Sequence, residues 1–326
     1  MPLPVRPTVT VGTRASALAL TQTGMIADQL AALGLAVELA RITTDGDRLP
    51  GSLATLGGTG VFVTALREAL LAGRCDVAVH SLKDLPTATP DGLVIAAVPE
   101  RADPRDALCA RDGLTLVDLP AGARVGTGSP RRAAQLRAVR PDLVVVDIRG
   151  NVDTRLRRVA PGDLDAVVLA AAGLTRLGRL DAVSELLDPA TMTAAPGQGA
   201  LAVEARAGEA GSPLAVALAS LDHAPTRLAV TAERALLARL EAGCAAPVGA
   251  QARLADDHLV LAAVVARPDG TDLLRRTLTI ALPRDLPATG IQDRLRAATG
   301  LGTDLADLLL ADGAAELAGL SPRTGR

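Results

Sequence analysis

At 326 residues the chain is long enough for two or three domains with their own cores, and 49% hydrophobic with 21% charged residues excludes a disordered or fibrous chain. A net charge of −2 gives no general pull towards nucleic acid or membrane, and without tyrosine or tryptophan there is no set of aromatic platforms for stacking bases. Three cysteines (Cys75, Cys109, Cys244) and three histidines, none at metal-ligand spacing, argue against a disulfide framework or a metal site.

The first seven residues lack the apolar core of a secretory signal, and no run of about 20 uncharged apolar residues follows; the expectation is a cytoplasmic protein. Residues 8–11 read as a strand, 16–33 as a helix, 36–42 as a strand, 62–72 as a helix and 76–79 as a strand. After a break at 99–106 come strand 124–126, helix 130–139, strand 143–148, helix 152–159 and strand 165–170. This alternation predicts βα units and mostly parallel sheet. A second break at 195–199 divides this part into two lobes crossed twice by the chain. Helices 213–221 and 226–240 follow, then three strands near 247–254, 258–266 and 273–281, and helices near 286–299 and 303–317. That ending predicts a small α+β domain, with a disordered tail from Ser321.

Cations follow four of the predicted strands: Arg14 in Gly12-Thr13-Arg14-Ala15-Ser16, Lys83 in His80-Ser81-Leu82-Lys83, Arg131-Arg132 after Gly126-Thr127-Gly128-Ser129-Pro130, and Arg176 after Gly173-Leu174-Thr175. Arg149 and Arg155 flank Asn151 after a fifth. Ligands of open α/β sheets bind beyond the carboxyl ends of strands, so these turns can converge on one crevice. Any one of these arginines alone reads as solvated surface charge; five cationic turns together read as a site for a ligand with several carboxylates or phosphates. Ser129 as N-cap and Pro130 at the first helical position add a helix start with free N–H groups. Neither a dinucleotide fingerprint nor a P-loop is present.

The chain has one lysine (Lys83), one phenylalanine (Phe62) and one asparagine (Asn151). These residues share AT-rich codons, which points to a GC-rich coding sequence, and all three fall in segments singled out on other grounds. Asp84 is a carboxylate among cations, suited to steadying a transient positive charge or holding an N–H donor, or simply a partner for Lys83. Gly243 reads as the left-handed residue ending helix 226–240. Cys244 would then lie at the negative end of the helix dipole, which disfavours a turnover nucleophile but permits a thiol that captures a strong electrophile once. Cys75 and Cys109 read as small core residues.

Together these motifs resemble the porphobilinogen deaminase (hydroxymethylbilane synthase) family over about residues 8–312. The resemblance rests on Gly12-Thr13-Arg14-Ala15-Ser16 with Gln22, Thr44-Asp45-Gly46-Asp47, and Ala78-Val79-His80-Ser81-Leu82-Lys83-Asp84-Leu85-Pro86. It continues through Glu100-Arg101, Pro104-Arg105-Asp106, Val125-Gly126-Thr127 to Arg131-Arg132, and Arg149-Gly150-Asn151-Val152 with Thr154-Arg155-Leu156. Gly197-Gln198-Gly199-Ala200 and Thr231-Ala232-Glu233-Arg234 with Gly243-Cys244 complete it. The resemblance implies an α/β fold of two periplasmic-binding-protein-like lobes with a central cleft, plus a small α+β C-terminal domain. Lobe 1 would comprise 1–102 and 198–220, lobe 2 103–197, the C-terminal domain 221–320, and the tail 321–326. It further implies a transferase of tetrapyrrole and heme biosynthesis, monomeric, that deaminates four porphobilinogen molecules and joins them head to tail on a dipyrromethane cofactor. That cofactor would be bound through a thioether to Cys244, and Asp84 would contact pyrrole N–H groups and stabilise the cation formed as ammonia leaves. Arg14, Lys83, Arg131, Arg132, Arg149, Arg155 and Arg176 would bind side-chain carboxylates, with Ser16 in the first of these turns. Ser81, Thr127, Ser129 and Gln198 would be auxiliary polar contacts, and Phe62 would face the pyrrole rings unless it is a core residue of its helix.

Family members often carry a basic residue where this chain has Thr55 and Thr59, in the glycine-rich 53–60 segment expected to form a lid. Gly128, Pro130, Ala242 and Ala245 are further departures, and none removes a principal residue. The alternative is a non-catalytic polycarboxylate-binding protein on the same two-lobed fold, which would need the arginine turns but neither Cys244 nor Asp84.

Overall fold

The computed structural model of the chain describes residues 8–42, 60–208, 211–243, 246–282 and 290–320; side chains are described from Val63 onward in the second of these stretches. The architecture is α/β and divides into two units, 1–101 with 200–223, and 102–199 with 224–326. Expectations that fall on Thr44–Asp47, Thr55, Thr59, Cys244, Ala245 and the tail lie outside the described residues, as does the side chain of Phe62.

In the first unit, β1 (Thr8–Thr13), α1 (Ala17–Ala32), β2 (Ala36–Arg41), α2 (Gly60–Leu71), β3 (Val77–Ser81) and β4 (Leu93–Ala97) follow one another in the chain. The second unit begins with β5 (Asp106–Ala110), β6 (Arg124–Gly126), α3 (Pro130–Val139) and β7 (Val144–Val146). It continues with α4 (Val152–Leu156), β8 (Ala166–Ala170), α5 (Ala171–Arg176) and β9 (Glu185–Leu186). β10 (Leu201–Arg206) then returns to the first sheet. The two sheets have the same plan, β2-β1-β3-β10-β4 and β7-β6-β8-β5-β9. In each, three parallel strands are extended by one antiparallel strand, β10 beside β3 and β5 beside β8. These two like α/β lobes are the architecture expected. Strands β3, β5, β8 and β10 are buried almost end to end, as strands covered on both faces must be. Two apolar clusters flank each sheet, around Val11, Val77 and Val203 and around Leu66 and Cys75 in one, around Leu108 and Val125 and around Val167 and Leu169 in the other.

Helix α6 (Pro213–Leu221) packs on the first sheet. Helix α7 (Ala224–Arg239), the antiparallel sheet β11 (Val248–Ala255), β12 (His258–Ala266) and β13 (Leu273–Ala281), and helices α8 (Ile291–Ala311) and α9 (Ala314–Leu317) enclose a further core. Asp256 takes a positive φ of 51° in the two-residue turn between β11 and β12, where the strand twist demands it.

Three expectations are corrected. Strands β4, β5, β9 and β10 and helix α5 were not foreseen; Asp106 opens β5 and Glu204 interrupts β10, so neither reads as an apolar run. The expected break between two C-terminal helices is absent: one helix runs through Gly300 and Gly302. A Cβ at Gly302 would lie 2.2 Å from the Ala232 carbonyl oxygen, so this glycine permits close approach to α7 and does not end a helix. Gly302→Ala is therefore expected to cost about 1–3 kcal/mol despite alanine's better helix propensity, read as a lower denaturation midpoint. Finally, the left-handed residue after α7 is Glu241 (φ 51°), not Gly243, because the Ala242 N–H closes back on the Leu237 carbonyl.

Candidate functional site

In the first unit, β1 ends at Thr13 and the chain turns through Arg14 into α1. Ser16 caps that helix, its Oγ accepting the Ala19 N–H at 3.3 Å. Thr13, fully buried, accepts from the Thr23 hydroxyl at 2.8 Å and so fixes the turn against the helix. One parallel strand away, β3 ends at Ser81 and passes into a 3-10 turn, Leu82–Asp84, that carries Lys83 and Asp84. Gln22 ties α1 to the end of β3, its Nε2 donating to Ser81 Oγ at 3.0 Å. The result is a pocket whose polar wall is Arg14, Ser16, Gln22, His80, Ser81 and Asp84 and whose apolar wall includes Leu18, Val63 and Leu66. A cation, a carboxylate and hydroxyls thus share one concavity beyond the strand ends.

Beneath it lies a buried carboxylate that sequence reasoning missed. Glu204, with no exposed surface, accepts Arg67 Nε at 3.0 Å and Nη2 at 2.8 Å, and its other oxygen is 3.4 Å from His80 Nε2. Burial pushes its pKa up, but His80 and Arg67 outweigh burial and hold it below the usual value. The available signal was a carboxylate between small apolar residues, in Leu201-Ala202-Val203-Glu204-Ala205.

In the second unit, Thr127-Gly128-Ser129 leads from β6 into α3. A Cβ on Gly128 would sit 2.4 Å from the Ile148 carbonyl oxygen, so only glycine lets this turn lie against the end of the β7 segment. Thr127 is buried and accepts the Ser129 N–H at 3.2 Å; Ser129 in turn caps α3, with Arg132 N–H at 3.5 Å. Pro130 occupies the first helical turn.

Arg131 and Arg132 turn inward; they are 3% and 5% exposed. Arg131 Nη1 donates to Asp106 Oδ2 at 2.7 Å and to the Thr193 carbonyl at 2.6 Å. Arg132 grips the other Asp106 oxygen through Nε (2.9 Å) and Nη2 (2.7 Å) and gives Nη1 to the Val168 carbonyl. Gln198 Nε2 donates to the same oxygen at 2.8 Å and to the Pro104 carbonyl at 2.7 Å. Burial drives the pKa of Asp106 up, yet the two guanidiniums outweigh it and hold the carboxyl far below its ordinary range. Asp106 is therefore an internal anion that organises two arginines expected to serve a ligand. Arg131 still has a buried Nε with no hydrogen-bond partner.

Arg155 and Arg176 hydrogen-bond to backbone carbonyls, not to a carboxylate. Asn151 caps α4 by accepting the Thr154 N–H at 2.8 Å, and Arg155 on that helix donates Nε to the Gly150 carbonyl at 2.8 Å. Its pKa is lowered first by burial and then by the charges of Arg132 and Arg149. Arg149 is largely exposed, its guanidinium 3.4 Å from Asp147. Arg176 ends α5 with Nη2 on the Gly199 carbonyl at 2.7 Å and Nε buried and unpartnered. Burial alone lowers its pKa to about 10. Guanidiniums that repel one another, or are desolvated without a carboxylate, are stabilised by an added polyanion.

The Ala246 N–H donates to the Gly243 carbonyl at 2.9 Å.

Comparison with known proteins gives two family matches in succession. Residues 9–212 match the model of porphobilinogen deaminase, dipyromethane cofactor binding domain, and residues 227–311 that of porphobilinogen deaminase, C-terminal domain. The chain is 59% identical over 313 residues to porphobilinogen deaminase of Leifsonia xyli subsp. xyli, covering 95% of this chain and 94% of that one. It is 56% identical over 329 residues to the enzyme of the same name from Cutibacterium acnes, covering 96% and 97%, and 56% identical to that of Thermobifida fusca, covering 94% of each.

Proposed function

This chain belongs to the porphobilinogen deaminase family, and from that premise we propose how its residues divide the labour of the reaction. The enzyme is a hydroxymethylbilane synthase, a transferase of tetrapyrrole biosynthesis that deaminates four porphobilinogen molecules and joins them head to tail on a dipyrromethane cofactor. The residues present fit that group. Each pyrrole bears an acetate and a propionate, and the chain offers guanidiniums with orphaned or uncompensated donors at Arg131, Arg155 and Arg176. When bound, the dipyrromethane supplies the terminal pyrrole carbon to which the first substrate ring is joined.

The chain's own residues bind and orient. Arg149, Arg155 and Arg176 take carboxylates, with Arg131 and Arg132 held ready beside them by Asp106 and Gln198. In the pocket of the first unit, Arg14 takes a substrate carboxylate and Asp84 accepts pyrrole N–H groups. As ammonia leaves, positive charge develops on the ring, and a fixed carboxylate lowers that barrier more than it stabilises the neutral ground state. Lys83, on the same turn, adds a point charge for a second carboxylate. Ser16, Ser81, Thr127, Ser129 and Gln198 shape these turns through the hydrogen bonds given above, and Phe62 lies on α2, the helix that supplies Val63 and Leu66 to the pocket. Cys244 carries the thioether. The observation that carries the reading is the pair Arg155 and Arg176, partly desolvated and hydrogen-bonded to backbone carbonyls rather than to a carboxylate. We also read the enzyme as a cytoplasmic monomer; no helix among the described residues is long and apolar enough to cross a membrane, and sedimentation as a dimer would overturn the monomer.

Intact-mass measurement with peptide mapping tests the core of this proposal. The purified protein is expected to carry two linked pyrrole units on the Cys244 peptide, and Cys244→Ser to carry none and to be inactive. Normal turnover by Cys244→Ser would sink the attachment site.

A further inference from the structure

We propose that Thr193 is a positioning residue for Arg131, braced from the C-terminal sheet by Arg275. This rests on the reading of Arg131 as part of the carboxylate-binding group. Thr193 is 4% exposed, and its polar atoms are engaged on every side. Its carbonyl accepts Arg131 Nη1 at 2.6 Å and Gln135 Nε2 at 3.1 Å, and its N–H donates to Gln135 Oε1 at 2.9 Å. Its hydroxyl donates to the Pro189 carbonyl at 3.0 Å and accepts Arg275 Nη1 at 3.0 Å.

The C-terminal sheet closes on the same short segment from two strands. Arg275 reaches it from β13, and on β11 the Ala250 N–H donates to the Ala194 carbonyl at 2.9 Å. Gly249 sits so close that an added Cβ would be 2.8 Å from the Thr193 carbonyl oxygen, the very atom that receives Arg131. Arg275 makes no ion pair among the described residues, and burial lowers its pKa. Its donors go to the Thr193 hydroxyl and, at 3.5 Å, to the Thr191 carbonyl. A half-buried cation given over to neutral acceptors gains little stability, whereas a guanidinium fork fixes a segment in position well. The chain of contacts Arg275–Thr193–Arg131–Asp106 therefore sets where the Arg131 guanidinium points.

The test uses the full chain produced without porphobilinogen and then supplied with it, following intact mass. Loading forms the bond from Cys244 Sγ to the substrate methylene as its amine departs as ammonia with the thiol proton; the second ring adds with loss of another ammonia. Thr193→Val keeps the shape and removes the hydroxyl, and Arg275→Met removes the brace. Each is expected to slow loading about tenfold, the equivalent of one charge-assisted hydrogen bond, and to raise KM for porphobilinogen more than it lowers kcat. The double variant should be no slower than either single one, and Thr193→Ser, which keeps the hydroxyl, should load as the parent does. A merely structural contact would lower the melting point and leave loading and KM at 25 °C unchanged; that result, in folded Thr193→Val and Arg275→Met, overturns the proposal. If the parent chain itself acquires no adduct, it is the functional reading that fails.

Discussion

Asp84→Ala is expected to keep the two-ring adduct on Cys244 and to lose about 10²–10³-fold in kcat, the usual cost of removing one preorganised electrostatic partner of a transition state. Asp84 lies in a pocket with Arg14, Ser81 and His80; in the proposed reaction, a carboxylate in place before the reaction begins would stabilise charge developing on a substrate ring. Asp84→Asn separates charge from shape. Its amide oxygen still accepts a pyrrole N–H, so a loss nearly as deep as that of alanine assigns the effect to charge. Single-turnover release of ammonia is the direct measurement, and a parent-like rate in either variant would remove Asp84 from the chemistry.

The second large effect concerns stability. Asp106 is fully buried between Arg131 and Arg132, and Asp106→Asn leaves two desolvated guanidiniums without their counter-ion. Breaking a buried pair from one side costs about 3–5 kcal/mol, read in a denaturant titration. The sign of the pH dependence follows from the same group. Asp106 and Glu204 have folded pKa values below their unfolded ones, so their stabilisation is complete above the unfolded values, near about 4, and is withdrawn as pH falls. The parent should lose stability progressively below about pH 4, and Asp106→Asn should show a shallower acid limb. Equal slopes for the two proteins would show that Asp106 is not the titrating support.

The strand-end turns were legible because they combine local signals: a β-run, a glycine or serine, then a cation. Ser129 capping Arg132 and Asn151 capping Thr154 are of this kind, fixed by residues three apart. Asp106 and Glu204 were not legible as organisers, because their partners lie 25 and 137 residues away along the chain. The same distance hid the direction of Arg131 and Arg132. A helix start with two arginines announces an anion, and sequence cannot say that the first anion met is the protein's own. Gly302 failed differently: the residue that breaks an isolated helix is the one that lets two helices touch.

The two sheets differ in how soon a growing chain can finish them. All strands of β7-β6-β8-β5-β9 lie between residues 106 and 186, whereas β2-β1-β3-β10-β4 needs β10, which begins at Leu201. During synthesis the later sheet is therefore complete while the earlier one still lacks an inner strand, with the edge of β3 unpaired and β4 without a neighbour. An unpaired apolar edge is a template for wrong pairing. Nascent chains arrested between residues 186 and 201 should thus be the species most prone to aggregate and the most dependent on chaperones.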